Sequence, residues 1–179
     1  VKSFNSKQID TFIVFKNYFI GGHKGITVDR GASEQEKKEK WCEISDAVYV
    51  MFKDNNKLYI QKRNECYTFK TLAIDTSIAF SYFINNFQDI RREKIYRNAS
   101  DILSTGDTSF VFREHTGITE YYFSLGPTKK ELTIDWFNFS EESLVDKKNI
   151  FYTLNNATKI KYLDATLTSK FYGQMYRRE

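Results

Sequence analysis

The chain has 179 residues, a formal net charge of +4 and an apolar content of 41%. This length suits a single domain over residues 1–179, and so many large apolar side chains exclude an intrinsically disordered chain. No run approaches the roughly 20 apolar residues that span a bilayer, and no secretory signal is visible. We therefore expect a cytoplasmic protein without membrane contact.

The first part of the chain predicts a strand, a glycine-rich loop and a short helix. Residues 10–20 are aromatic and β-branched, which is typical of a strand. Three glycines within residues 21–25 then indicate a loop, which is either a plain turn or a substrate-contacting loop that carries His23, Lys24 and Arg30. A helix over residues 33–41 follows, and it begins with a capping-box pattern.

A hairpin is predicted at the centre of the chain. Two apolar runs, residues 47–52 and 58–60, flank a polar turn that contains Asn55-Asn56, and asparagine tolerates the positive φ of tight hairpin turns. Cys42 and Cys66 flank these strands and could lie close together. Two cysteines are too few for a disulfide scaffold, so we expect free thiols in a reducing compartment.

The second half of the chain predicts helices, strands and a second hairpin. Residues 75–87 follow a period of 3.6 residues with Asp75 as N-cap, which predicts a helix over one face of the sheet. Segments 109–112 and 119–124 predict a hairpin. The remaining expectations are a loop at 98–107, strands at 132–137 and 150–154, a short helix at 140–146, and an ambiguous segment at 158–167.

The motifs of several chemistries are missing. The sequence contains no G-x-S-x-G for a nucleophilic serine, no histidine and cysteine cluster for zinc, and no G-x-G-x-x-G for a dinucleotide. Pairing the two central strands would bring Asp46 near Gln61, Lys62 and Arg63. A carboxylate, an amide oxygen and a cation on neighbouring strands suit metal-dependent phosphodiester hydrolysis. We therefore expect Asp46 and Gln61 to converge within about 5 Å on one Mg²⁺.

The order E-I-S-D, apolar strand, turn, apolar strand, Q-K-R resembles the core of PD-(D/E)xK nucleases, in particular small type II restriction endonucleases. The resemblance implies an α/β or α+β fold with a central mixed β-sheet flanked by helices. It implies that Glu43, Asp46 and Gln61 bind Mg²⁺, and that Asp46, Gln61 and Arg63, with Lys62 second, are catalytic. The family lysine falls at Arg63, and arginine keeps its proton, which indicates a variant or an inactive site.

The substrate that this resemblance implies is double-stranded DNA. Arginine forks match phosphate oxygens, and a pI of about 8.9 permits contact with a polyanion. Symmetric cleavage of a duplex further predicts a homodimer, in the bacterial cytoplasm. Phosphate contacts are expected from basic side chains of the glycine-rich loop and of a dense cationic segment: Lys24, Arg30, Arg91, Arg92, Lys94 and Arg97.

Other classes of protein remain open at this point. The central stretch could be an ordinary hairpin with polar ends and no site. The chain would then be a non-catalytic binding protein, either a degenerate nuclease fold that binds DNA or a phage or host protein-interaction domain. A disulfide between Cys42 and Cys66 would indicate a secreted or surface domain instead. Strand alternation adds a test, because it puts Gln61 and Arg63 on one face and Lys62 on the other unless a bulge intervenes.

Overall fold

The structure, a computed structural model, describes residues 9–20, 31–75, 77–144, 146–172 and 176–177. Within these residues the strands are β1 (Phe12–Ile20), β2 (Val48–Asp54), β3 (Lys57–Arg63), β4 (Leu72–Ile74), β5 (Ala99–Ile102), β6 (Thr108–Phe110), β7 (Thr116–Leu125) and β8 (Thr128–Asp135). The helices are α1 (Glu34–Ile44), α2 (Ile78–Arg92), α3 (Tyr152–Asn156) and α4 (Lys159–Tyr172), with a 3₁₀ helix at Trp136–Phe139. Of these helices, none is both long enough and apolar enough to cross a bilayer.

Six strands form one sheet in the order β4–β3–β2–β1–β7–β8, and β5 and β6 form a separate pair. All described strand pairings are antiparallel. The expected mixture of α and β structure is thus confirmed, but the expected mixed sheet is wrong. Two connections explain part of the antiparallel arrangement. The pairs β2–β3 and β7–β8 are each joined by a two-residue turn, and such turns join only antiparallel strands.

The hydrophobic core lies between the six-stranded sheet and the two helices α2 and α4. Phe83 of α2 stacks on Phe123 of β7 with ring centroids 5.5 Å apart, and Phe171 of α4 meets Phe15 of β1 edge to face at 5.0 Å. All four rings are buried. We call this side the helix-covered face; side chains that alternate with its residues lie on the opposite face.

The start of α1 and the central turn form as the local sequence predicts. The Ser33 hydroxyl accepts a hydrogen bond from the Glu36 N–H (3.3 Å), and the Glu36 carboxylate accepts one from the Ser33 N–H (2.7 Å), which completes the capping box. Asn55 and Asn56 have φ of 47° and 65°, so the β2–β3 turn occupies the left-handed region that asparagine tolerates. The strand predicted at residues 10–20 is confirmed as β1.

Strand pairing in the second half differs from the sequence prediction. Phe110 of β6 pairs with Ala99 of β5, while β7 pairs with β1 and β8, so the predicted hairpin between segments 109–112 and 119–124 is wrong. The predicted loop at 98–107 accordingly contains a strand. Gly126, at φ 58°, lies in the turn of the second hairpin, which is β7–β8. Each strand bonds the neighbour that lets it bury an apolar face, and that neighbour need not be next in sequence.

Helix predictions in the second half are partly correct. The predicted helix at 75–87 exists as α2, but Ser77 caps it in place of Asp75 and it continues to Arg92. The strand expected at 150–154 is wrong, because this segment leads into α3, and the ambiguous segment belongs to α4. The described residues between 140 and 146 form no helix.

Buried asparagines hold the segment that follows α2 against the segment that follows the 3₁₀ helix. Asn98 is fully buried, and its amide donates to the backbone carbonyls of Phe137 (2.9 Å) and Glu142 (3.0 Å). Asn155 at the end of α3 accepts from the Tyr96 N–H (2.9 Å) and donates to the Tyr96 carbonyl (2.8 Å). These bonds satisfy backbone groups of irregular segments, which have no helix or sheet partner when buried.

Candidate functional site

The candidate residues at the end of β3 lie on two faces of the sheet. Lys62 is opposite Tyr49 of β2, and the Tyr49 ring packs against Phe171 of α4, so Lys62 lies on the helix-covered face. Gln61 and Arg63 alternate with Lys62 and lie on the opposite face, as alternation predicts. The sheet therefore separates the Lys62 side chain from those of Gln61 and Arg63.

The Lys62 ammonium is surrounded by aromatic rings. Its Nζ is 4.9 Å from the centroid of Phe69, 5.9 Å from that of Tyr176 and 6.0 Å from that of Tyr49. A cation over aromatic faces is attracted by the ring quadrupoles. Because Tyr176 belongs to the C-terminal segment, these contacts tie that segment to the sheet, which is a structural role for Lys62.

Asp46 lies in the connection between α1 and β2, near Tyr18 of β1. Tyr18 lies on the face of the sheet that carries Gln61, and its hydroxyl donates to Glu120 (2.9 Å). This hydrogen bond is the main cause that raises the pKa of Tyr18, and the nearby Asp46 charge contributes to the same rise. Asp46 is thus close to Tyr18, and Gln61 and Arg63 lie on the same face as Tyr18.

The strand register gives the offset between Asp46 and Gln61 along the sheet. Gln61 is opposite Val50, and Asp46 precedes Val50 by four residues. Four residues of fully extended chain span about 13 Å, and two oxygen ligands of one Mg²⁺ lie within about 5 Å of each other, so a shared ion requires the connection before β2 to fold back toward Gln61. Arg63, which is opposite Val48, is the nearer of the two to Asp46 along the strand.

The remaining predicted metal ligand, Glu43, lies in the last turn of α1, and its side chain is outside the described part of the structure. Among the residues that are described, no group of three or more His, Cys, Asp or Glu side chains could hold a metal ion. The carboxyl-rich ligand set that Mg²⁺ prefers is therefore not found around Asp46 in the described residues. Lys24 and Arg30 also fall outside the described residues.

The four other predicted phosphate ligands are exposed side chains at the end of α2 and beyond it. Arg91 and Arg92 form the last turn of α2, where cations complement the helix dipole. Lys94 and Arg97 follow in the irregular segment between α2 and β5. Because α2 packs on the helix-covered face, Arg91 and Arg92 belong to the opposite layer from Gln61.

A disulfide joins Cys42 of α1 to Cys66, with Cα atoms 5.6 Å apart. The expectation of free thiols is thus wrong, and the predicted proximity of the two residues is confirmed. Asn64 joins the same segments, since its amide donates to the Cys42 carbonyl (2.8 Å) and its side-chain oxygen accepts from the Cys66 N–H (3.0 Å). The disulfide and these hydrogen bonds fix α1 against the end of β3.

The fold also brings together a group of side chains whose proximity is not indicated by the sequence. Arg97 lines a cavity of about 320 Å³ together with Phe112 and Asp135, which come from distant parts of the chain. In the sequence, Asp135 is an ordinary polar residue of a predicted strand, and Phe112 is part of an apolar run. Their grouping arises only because the segment after β6 lies beside the end of β8.

Comparisons with protein families, with curated proteins and with solved structures find no match to this chain. The fold and the sites just described therefore carry the functional assignment. They define an α+β domain whose helix α1 is tied to the central hairpin by a disulfide.

Proposed function

We propose that this chain is a disulfide-stabilised binding domain of an oxidising compartment, without catalytic activity of its own. The observation that carries this proposal is the Cys42–Cys66 disulfide. Thiols stay reduced in the cytosol of most organisms, whereas disulfides persist in periplasmic, secreted and surface proteins. The bacterial cytoplasm expected from the sequence is therefore replaced, in this proposal, by a compartment that permits disulfides.

The geometry of the central hairpin supports a non-catalytic role. Gln61 is opposite Val50, four residues beyond Asp46, and this offset in register does not favour Asp46 and Gln61 as two ligands of one ion. Lys62 is engaged with aromatic rings on the other face of the sheet. Arg63 keeps its proton and cannot act as a base that activates water.

The redox state of the two cysteines tests the compartment. Cells that naturally produce the chain are quenched in acid, and the denatured protein is treated with N-ethylmaleimide before and after reduction. We expect an intact mass with no adduct before reduction and with adducts on Cys42 and Cys66 after it. Adducts on both cysteines before reduction would show reduced thiols in the cell and contradict the proposed compartment.

A second candidate is the Mg²⁺-dependent DNA endonuclease of restriction type that the resemblance implies, acting on double-stranded DNA as a homodimer. One observation favours it. Asp46 is close to Tyr18, which shares its face of the sheet with Gln61 and Arg63, so a movement of the connection before β2 would bring the carboxylate toward the amide.

A cleavage assay separates the two candidates. Supercoiled plasmid DNA is incubated with the protein and Mg²⁺, beside Asp46→Ala and the control Asp54→Ala, which changes a carboxylate at the other end of β2. The binding-domain proposal predicts no nicking by any of the three proteins. Cleavage that is lost in Asp46→Ala and kept in Asp54→Ala would establish the endonuclease instead.

A further inference from the structure

A small cavity lies between the end of β8 and the segments that precede β5 and follow β6. Its volume of about 320 Å³ is near the lower end of the range for ligand sites, so it suits a small molecule. Arg97 and Phe112 come from the two segments, and Asp135 and Asn138 come from β8 and the 3₁₀ helix that follows. The cavity thus combines a cation, a carboxylate, an amide and an aromatic ring.

The Arg97 guanidinium is held by an aromatic ring rather than by an acid. Its central carbon is 5.8 Å from the Phe112 ring centroid, and no carboxylate of the described residues lies within ion-pair distance of it. A guanidinium on an aromatic face keeps its N–H edge available for a bidentate contact with a carboxylate. Phe112 is 75% exposed, so a ligand in the cavity would cover a ring that the fold leaves open.

The Asp135 carboxylate is fixed by one of its oxygens. Oδ1 accepts hydrogen bonds from the Thr116 hydroxyl (2.6 Å) and the Phe137 N–H (2.9 Å). Oδ2 accepts no hydrogen bond from the described residues, so Asp135, which lines the cavity, keeps one carboxylate oxygen as an available acceptor. Asn138 is likewise fixed through Oδ1, which accepts from the Asn98 N–H (2.9 Å), and its amide nitrogen makes no hydrogen bond to the described residues.

Opposite charges on the lining select among ligands. A simple anion that pairs with Arg97 meets the Asp135 charge, and a simple cation that pairs with Asp135 meets Arg97. A molecule with both charges on neighbouring atoms matches both residues, because each of its groups gains an opposite partner and a charge-assisted hydrogen bond. Ile95 and Val111 add apolar surface beside the Phe112 ring.

We propose that this cavity binds a free α-amino acid with an apolar side chain. The α-carboxylate lies on the Arg97 fork, the ammonium group on Asp135, and the side chain against Phe112. The proposal rests on the proposed binding function and specifies its ligand, but the two can fail separately. A protein with the disulfide and without amino-acid binding would overturn only the ligand.

Titrations monitored by amide NMR shifts of the oxidised protein test the ligand class. The probes are L-phenylalanine and L-leucine, with 3-phenylpropionate lacking the ammonium group, 2-phenylethylamine lacking the carboxylate, and glucose as a neutral polyol. We expect saturable shifts at the amides of residues 97, 112 and 135 with the two amino acids. The three other probes should bind at least tenfold more weakly, because each leaves a charged group of the lining without its partner.

Variants identify the residues that bind. Arg97→Ala and Asp135→Asn should each weaken L-phenylalanine binding tenfold or more, while Arg91→Ala, a matched exposed arginine outside the cavity, should leave it unchanged. Phe112→Ala removes an exposed ring and serves as the informative variant if Asp135→Asn does not fold, with an expected loss of several-fold. Absence of saturable amino-acid binding, equal binding of 3-phenylpropionate or glucose, or unchanged affinity in both Arg97→Ala and Phe112→Ala would overturn the proposal.

Discussion

Asp164 of α4 is a carboxylate that faces the sheet and is 8% exposed. It accepts a hydrogen bond from the Tyr121 hydroxyl on β7. Burial raises the pKa of the Asp164 carboxyl, and the Tyr121 hydrogen bond and the Lys161 charge offset this rise only in part. The ionised form of Asp164 is therefore less favourable in the folded state than in the unfolded chain.

We predict that Asp164→Asn flattens the dependence of stability on pH. The folded-state pKa lies above the unfolded value of about 3.9, so the folded protein binds more protons between the two values. Wild-type stability must then fall as the pH rises through this window, and the neutral variant escapes that fall. In urea unfolding from pH 4 to pH 8, the free energy of unfolding of Asp164→Asn should increase relative to that of the wild type as the pH rises.

The exposed carboxylate Asp101 gives the control for this experiment. Asp101→Asn should give a curve parallel to that of the wild type, since Asp101 is 62% exposed, its ion pair with Lys147 is long at 3.8 Å, and the oxygen that accepts from the Ile102 N–H is kept in asparagine. Parallel curves for Asp164→Asn and the wild type would contradict the assigned cause.

The β2–β3 turn shows how one element depends on the conformation of two residues. Asn55 and Asn56 both have positive φ and are exposed, so their side chains add little to packing. A residue with an ordinary Cβ costs about 1–2 kcal/mol in this region, and asparagine tolerates it better than alanine. The turn fixes the register of β2 with β3 and hence the positions of Gln61 and Arg63.

We predict that Asn56→Ala lowers the free energy of unfolding by about 1 kcal/mol. The same exchange at Asn85, an exposed position of α2, should raise it by up to about 0.5 kcal/mol, because alanine is the better helix former. Urea unfolding of both variants measures the difference. Equal changes in unfolding free energy at the two sites would show that the positive φ at position 56 does not destabilise the alanine variant.

At the scale of the whole molecule, the disulfide restricts the unfolded chain more than it changes the folded one. Cys42 and Cys66 are 24 residues apart and enclose the whole β2–β3 hairpin. Closing a loop of this length removes conformational entropy from the unfolded chain, which stabilises the folded state by about 3 kcal/mol. The Asn64 hydrogen bonds join the same two segments as the disulfide.

We predict that the double variant Cys42→Ser, Cys66→Ser folds but loses about 3 kcal/mol of unfolding free energy. Urea unfolding with and without dithiothreitol measures the loss. Reductant should lower the urea midpoint of the wild type to that of the double variant. It should leave the midpoint of the double variant unchanged. Coincident midpoints for oxidised wild type and double variant would mean that the disulfide adds no stability.

Local signals in the sequence determined several features of this protein. The Ser33 capping box, the Asn55-Asn56 turn and the separation of Gln61 from Lys62 onto two faces all follow from residues within a few positions of each other. Interactions at such short range act in the same way whatever the rest of the chain does, so they can be predicted without the fold.

Only the tertiary structure decided which distant segments meet. The pairing of Phe110 with Ala99, the position of Gln61 opposite Val50, and the grouping of Arg97 with residues of β8 depend on register and sheet order. Strand register and strand order are determined by the burial of apolar faces that are far apart in sequence. Many different strand orders are compatible with the same local sequence signals. The sequence alone therefore determined what each short segment could be, and long-range burial determined which chemistry those segments bring together.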